Sequence, residues 1–241
     1  MRKRFSDIKN TKLFTSDDKG LSPIGTVTDL LIEDESWNIR YLVALTDAPI
    51  SRKVLISPAA ILDFDFVSKS IATMLTKEQV VKCPPLDHDQ PISRQYEQAL
   101  VDYYGWPIYW FGRVLLKPQT LETIAADEAT ETVDESNNSN LRSANEICGY
   151  RIESQNGTAG YMKDLVVQVE AWTVDYATAD CQAWLPKESS MFPTRWVNGL
   201  DWSRRKVQVD LSKTAIESTE DRRRSQNITG EPWSSQPFRT V

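Results

Sequence analysis

Gly25-Thr26-Val27-Thr28-Asp29-Leu30-Leu31-Ile32 and Gly160-Tyr161-Met162-Lys163-Asp164-Leu165-Val166-Val167 are two statements of one pattern: a glycine, an aspartate four positions on, and an apolar run behind it. Working outward, Trp37 and Tyr41 meet Trp172 and Tyr176 at the same spacing of 135 residues. Asp65, Phe66, Ile71, Leu75 and Lys77 then meet Asp201, Trp202, Val207, Leu211 and Lys213 at 136, so one residue has entered a loop between the blocks, where insertions are best tolerated. Rare residues held at one spacing indicate an internal duplication. The period is far too long for a solenoid of stacked repeats.

Around this unit the pattern is that of short strands. Residues 8–14 open the first copy as a strand, and Asp17-Asp18-Lys19-Gly20 is a turn. The glycine at 25 suits a turn, a bulge or a close backbone approach before the strand 26–32. Residues 33–38 read as a hairpin turn, and Ile39, Tyr41, Val43 and Leu45 then alternate with period two, as a strand with one face on a core does. Further strands follow at 53–57, 61–66 and 71–75. Thr76-Lys77-Glu78-Gln79 has the form of a capping box and predicts a short helix, stopped by Pro84-Pro85; in the second copy Ser212 can cap but Ala215 cannot close the box. The expected fold is therefore mainly β: two tandem, small, six-stranded antiparallel barrels with short helices and a connecting helix. Closing each sheet removes the exposed edges that a domain of this size otherwise has to protect.

The predicted division is 1–86 for the first barrel, 87–117 for a helix and aromatic extension packing on it, 118–145 for an acidic flexible linker, 146–217 for the second barrel and 218–241 for a disordered tail. Ser93 as N-cap and Gly105 as stop place the connecting helix over Arg94–Tyr104. Behind it, Gly105-Trp106-Pro107-Ile108-Tyr109-Trp110-Phe111 is the most aromatic stretch of the chain. Residues 122–140 carry acidic groups and no Lys or Arg, and the tail carries Arg222-Arg223-Arg224, Trp233 and Phe238.

The 241 residues have a net charge of −6, which argues against broad phosphate-backbone binding and so against nucleic acid as a partner. No apolar run reaches the length of a membrane helix and no signal core follows Met1-Arg2-Lys3-Arg4-Phe5, so membrane insertion is not expected and the cytoplasm is. Cys83, Cys148 and Cys181 are odd in number and scattered, and are expected as buried reduced thiols.

Gly25-x-x-x-Asp29-Leu30-Leu31-Ile32, Arg40-Tyr41-Leu42-Val43, Lys53-Val54-Leu55-Ile56-Ser57-Pro58, Ile61 and Leu75-Thr76-Lys77-Glu78-Gln79-Val80 together resemble the PRC-barrel domain. Pro91-Ile92-Ser93-Arg94-Gln95-Tyr96-Glu97 and Tyr103-Tyr104-Gly105-Trp106-Pro107-Ile108-Tyr109-Trp110 resemble the extension of bacterial stand-alone PRC-barrel proteins. The likeness spans residues 5–111 and, in a more degenerate form, 147–217, where the arginine before Tyr176 is missing and Trp184-Leu185-Pro186 replaces a plainer loop. It implies a six-stranded barrel and an adaptor role. The family includes the cytoplasmic part of the photosynthetic reaction centre H subunit and the C-terminal domain of a ribosome maturation factor. Its motif carries no catalytic residues.

Nothing in the sequence has the form of a catalytic, cofactor or metal site. The one histidine, His88, stands in Asp87-His88-Asp89, three adjacent groups that cannot all turn to one metal. Gly157-Thr158-Ala159-Gly160 lacks the lysine of a phosphate loop. The recurring Asp29/Asp164 and Asp65/Asp201 fit a turn or a backbone hydrogen bond. The expected function is a non-catalytic assembly or scaffold protein with an unidentified protein partner. Trp106, Pro107, Tyr109 and Trp110 are either its interaction surface or the closure of the first barrel's core. The alternatives are an accessory to a membrane electron-transfer complex and an accessory to ribosome maturation.

Overall fold

The computed structural model describes residues 1–17, 20–48, 51–86, 92–110, 140–180, 189–212 and 216. In chain order the first half contains β1 (Arg2–Arg4), α1 (Phe5–Ile8), β2 (Lys12–Asp17), β3 (Gly20–Glu33), β4 (Ile39–Thr46), β5 (Lys53–Ile56), β6 (Ile61–Asp65), β7 (Ser70–Thr73), α2 (Lys77–Lys82) and α3 (Arg94–Tyr104). The second half contains β8 (Leu141–Ser143), α4 (Ala144–Ile147), β9 (Arg151–Ser154), β10 (Gly157–Gln168), β11 (Thr173–Asp180), β12 (Ser189–Pro193), β13 (Val197–Asp201) and β14 (Lys206–Val209). These form two compact units. One is Asp7–Asn145; the other takes the described residues from Glu146 onward together with Met1–Ser6. The first six residues, placed in the first domain by the sequence, thus belong with the second copy.

Each unit holds one sheet, and the two sheets have the same path: β5-β4-β3-β2-β7-β6 and β12-β11-β10-β9-β14-β13. The expectation of six antiparallel strands is corrected on two points. Each sheet is mixed, because β2 runs parallel to β7 and β9 parallel to β14. Each also has a seventh strand, β8 beside β3 and β1 beside β10. Barrel closure, which would join β5 to β6 and β12 to β13, is not among the strand pairings of the described residues.

The seventh strand has a physical reason. β3 outruns β2, whose pairing with it ends at Lys12 opposite Thr26. The rest of that edge would leave backbone N–H and C=O groups without partners. β8 fills it, Leu31 facing Ser143 and Glu33 facing Leu141. In the other unit β9 reaches only Tyr161 on β10, and β1 fills the edge beyond, Arg4 facing Val166 and Arg2 facing Gln168. The strand expected at 8–14 is accordingly shifted. A helical turn, α1, comes first, burying Phe5 and Ile8 three residues apart, and β2 begins at Lys12.

The duplication is visible in the irregularities. Single-residue bulges fall at Ile24 and Ala159, at Thr28 and Lys163, at Arg40 and Asp175, and at Leu62 and Asn198. Trp37 and Trp172 both take left-handed backbone (φ 59 and 50), as do Lys69 and Arg205 (φ 51 for each). Large side chains seldom adopt that region, so its recurrence marks inherited geometry. Bulges bend and twist a sheet, and here they fall at matching places in both sheets. Gly25 resolves as a close approach: a Cβ there would lie 2.2 Å from the Leu45 carbonyl oxygen.

Each unit has an apolar core. In the first unit Leu13, Leu30, Ile32, Leu42, Ile56 and Ile71 are fully buried, and in the second Tyr150, Ile152, Leu165, Phe192 and Val207 are. α2 has the expected capping box: Thr76 Oγ1 accepts from the Gln79 N–H at 3.2 Å, and Gln79 Oε1 accepts from the Thr76 N–H at 2.8 Å. At its other end Arg52 Nη2 donates to the carbonyls of Val80, Val81 and Cys83 at 3.1, 2.6 and 3.0 Å, satisfying groups that a helix end leaves open. The expected weaker helix of the second copy falls largely outside the described residues; its one visible trace is the Ile216 N–H donating to the Ser212 carbonyl.

Candidate functional site

α3 forms where the sequence requires it. Ser93 Oγ accepts from the Tyr96 N–H, and Gly105 ends the helix in left-handed conformation with φ 70. Glu97, Leu100 and Val101 form its buried face. That face meets a cluster of Leu31, Tyr41, Val43, Leu55 and Leu141, with Leu86, Ile92, Tyr96, Tyr104, Trp106 and Tyr109 packed against it. Trp106 stacks on Tyr104, centroids 4.2 Å apart at 13°, and lies 6.3 Å from the Tyr41 ring. After the helix, residues 105–110 therefore return as a strap over the first unit.

A buried polar group fixes the strap. The Glu97 side chain has no exposed surface and accepts from Arg94 Nη1 at 2.8 Å and from the Tyr109 hydroxyl. Burial pushes its carboxyl above the usual carboxylate range, while the hydrogen bond from Tyr109, the Arg94 charge and the hydrogen bond from Tyr41 pull the other way. The hydroxyls of Tyr41 and Tyr109 are both raised, first by burial and then by the negative charge of Glu97. The Arg40 guanidinium lies 4.1 Å above the Tyr109 ring and donates to Glu33 at 2.6 Å. Arg94 reaches over the Trp110 ring at 4.6 Å. A carboxyl closed to solvent, with a cation and two phenols on it, is built as an anchor.

The four residues singled out in the sequence are thus divided. Trp106 and Tyr109 pack on the first unit, Trp110 is half-buried under Arg94, and Pro107 is exposed. Sequence reasoning passed over Glu97, Arg94, Arg40 and Glu33. The signal for Glu97 was its position three and four residues before Leu100 and Val101, on the apolar face of α3.

The repeated carboxylates are structural. Asp29 accepts from the Leu30 N–H at 2.8 Å, the Asn145 N–H at 3.0 Å and the Ser143 hydroxyl at 2.5 Å. Asp164 accepts from the Leu165 N–H at 2.8 Å and from the N–H and hydroxyl of Ser6 at 3.2 and 2.6 Å. Asp65 and Asp201 hold turns, and both carboxyls are lowered, chiefly by hydrogen bonds from Ser68 and Ser203. Tyr41 and Tyr176 differ in cover: Leu141 of β8 belongs to the cluster around Tyr41, whereas the Arg2 guanidinium of β1 lies 5.2 Å over the Tyr176 ring.

Cys83 and Cys148 are in no disulfide, and Cys83 is buried with Arg52 Nη2 at 3.3 Å from its sulfur. Among the described residues no three His, Cys, Asp or Glu side chains gather as a metal site would need, and no helix is long and apolar enough to cross a membrane. His88, Cys181, the acidic stretch to 139, Trp184-Leu185-Pro186, Arg222-Arg223-Arg224, Trp233 and Phe238 lie outside the described residues. No family model matches the chain, and no curated protein sequence matches it.

Proposed function

We propose that the chain is a non-catalytic docking protein of the cytoplasm, built from two PRC-barrel-like units whose mixed sheets curl towards closure. The observation that carries this reading is the end of the strap. Trp110 is half-buried, with Arg94 stacked on it, Pro107 exposed and Tyr103 39% exposed on the same helix-and-strap assembly. Trp, Tyr and Arg held rigidly at a surface are the residues that concentrate binding energy at protein interfaces. The recurring carboxylates support the same reading, since each is taken up by hydrogen bonds that hold turns or strands.

The test is affinity capture from a native lysate with the intact chain and with Trp110→Ala. A defined protein retained by the first and lost with the second supports the docking role. Trp106→Ala should lower stability more than Trp110→Ala does, because Trp106 packs on the core. Capture of no protein under gentle conditions, or equal capture by both chains, refutes the role of this surface.

A further inference from the structure

The second unit is completed by a strand that its own contiguous sequence does not supply. It receives Met1–Ser6, separated from β9 by the whole first unit, while the Asp7–Asn145 unit receives β8 on its β3 edge from the far end of its own run, beyond α3. The two acceptor edges are built alike. In both, the recurrent aspartate accepts a backbone N–H from the incoming segment, Asn145 on Asp29 and Ser6 on Asp164, together with a serine hydroxyl. In the second unit, Arg2 Nε also donates to Asp175 of β11 at 2.8 Å, and Phe5 is buried to 4% exposure.

We infer that the β10 edge at Val166–Gln168 is a strand-acceptor site whose occupant can be the Met1–Ser6 segment of a second copy of this chain. The segment is held by backbone pairing with β10 and by hydrogen bonds of Arg2 and Ser6 to Asp175 and Asp164, none of them covalent. A second molecule offers them unchanged, because exchange of an identical element keeps every native contact. The link to the rest of the chain is the stretch 7–11, in which Asn10 has left-handed backbone with φ 68. Which copy supplies the strand is then set by effective concentration. The tethered strand prevails in dilute solution and the exchanged pair forms when molecules fold together at about the millimolar level.

The test uses full chains. One carries Lys3→Pro with Ser6→Ala and keeps the acceptor but loses the donor; the other carries Asp164→Ala and keeps the donor but loses the acceptor's clamp. Alone, each should melt below the parent chain. Mixed, they should give a species of twice the mass by light scattering, with recovery of the second unit's transition. If the donor-deficient chain does not fold alone, a synthetic peptide of residues 1–8 present during refolding should restore its near-ultraviolet circular dichroism. The same peptide with Ser6→Ala should bind about tenfold more weakly, the worth of one charge-assisted hydrogen bond. A donor-deficient chain as stable as the parent would overturn the inference. So would a mixture that stays monomeric, or a peptide without effect.

Discussion

Replacing Glu97 by glutamine keeps the side chain's shape and removes its charge. The carboxylate it replaces has no exposed surface and accepts from Arg94, Tyr109 and Tyr41. A glutamine oxygen can still accept from the phenols, but its NH₂ then turns N–H groups towards the Arg94 guanidinium. One charge-assisted hydrogen bond is lost and one buried donor lacks an acceptor, which costs about 1–3 kcal/mol; Arg94 is 35% exposed and partly recovers by hydration. In a unit of this size that lowers the melting temperature by roughly 3–12 °C. The pH dependence is more discriminating. Burial raises the Glu97 carboxyl above its ordinary value of 4.5, so the folded chain holds that proton more tightly than the unfolded one. Its contribution to stability is fully present below the ordinary value and is lost as pH rises through the folded value. Arg94, Glu33, Tyr41 and Tyr109, the other titratable groups acting on it, are shared by both chains. Thermal melts followed by near-ultraviolet circular dichroism at about pH 5 and pH 8 should show the parent's advantage over Glu97→Gln largest in acid and smaller in base. An advantage that widens with pH would mean that Arg94 and the phenols outweigh burial, and would refute this account of the anchor.

Gly25→Ala should destabilise the first unit by about 3 kcal/mol or more in urea titration, since the clashing atom is the Leu45 backbone oxygen, whereas Gly199→Ala, with only the Gln208 side chain at 3.8 Å, should change stability by less than about 1 kcal/mol. Arg52→Met should speed amide exchange in α2 and cost about 1–2 kcal/mol, because three carbonyls at the helix end lose their donor. Thr76→Ala should cost about 1 kcal/mol in the same exchange measurement by opening the capping box.

What the sequence made legible was local chemistry. Thr76 with Gln79, and Ser93 with Gly105, satisfy helix ends within a few residues, so α2 and α3 start where expected and α3 stops at its glycine. The 135-residue spacing carried the duplication down to its bulges, because a bulge moves with the residues that make it. The two donated strands were hidden. Each has three residues, β1 is basic and shows no apolar alternation, and the paired residues lie 162 and 112 positions apart at Arg4–Val166 and Leu31–Ser143. The parallel pair of β2 with β7 was hidden for a similar reason, since hairpin spacing predicts only antiparallel neighbours. Glu97 reads as an ordinary hydrated helix residue until the strap is placed over it.

The donated strands also set an order of events during synthesis. β1 is synthesised 162 residues before the edge it seats on, Val166–Gln168. At ~5–20 residues per second the interval is roughly 10–30 s, long compared with the folding of a small domain. The nascent chain therefore carries an unseated basic strand past a half-built first unit that itself awaits Leu141–Ser143. Synonymous codon changes that slow elongation between these points lengthen the time in which β1 is unseated and the β3 edge stands open to strands of neighbouring nascent chains.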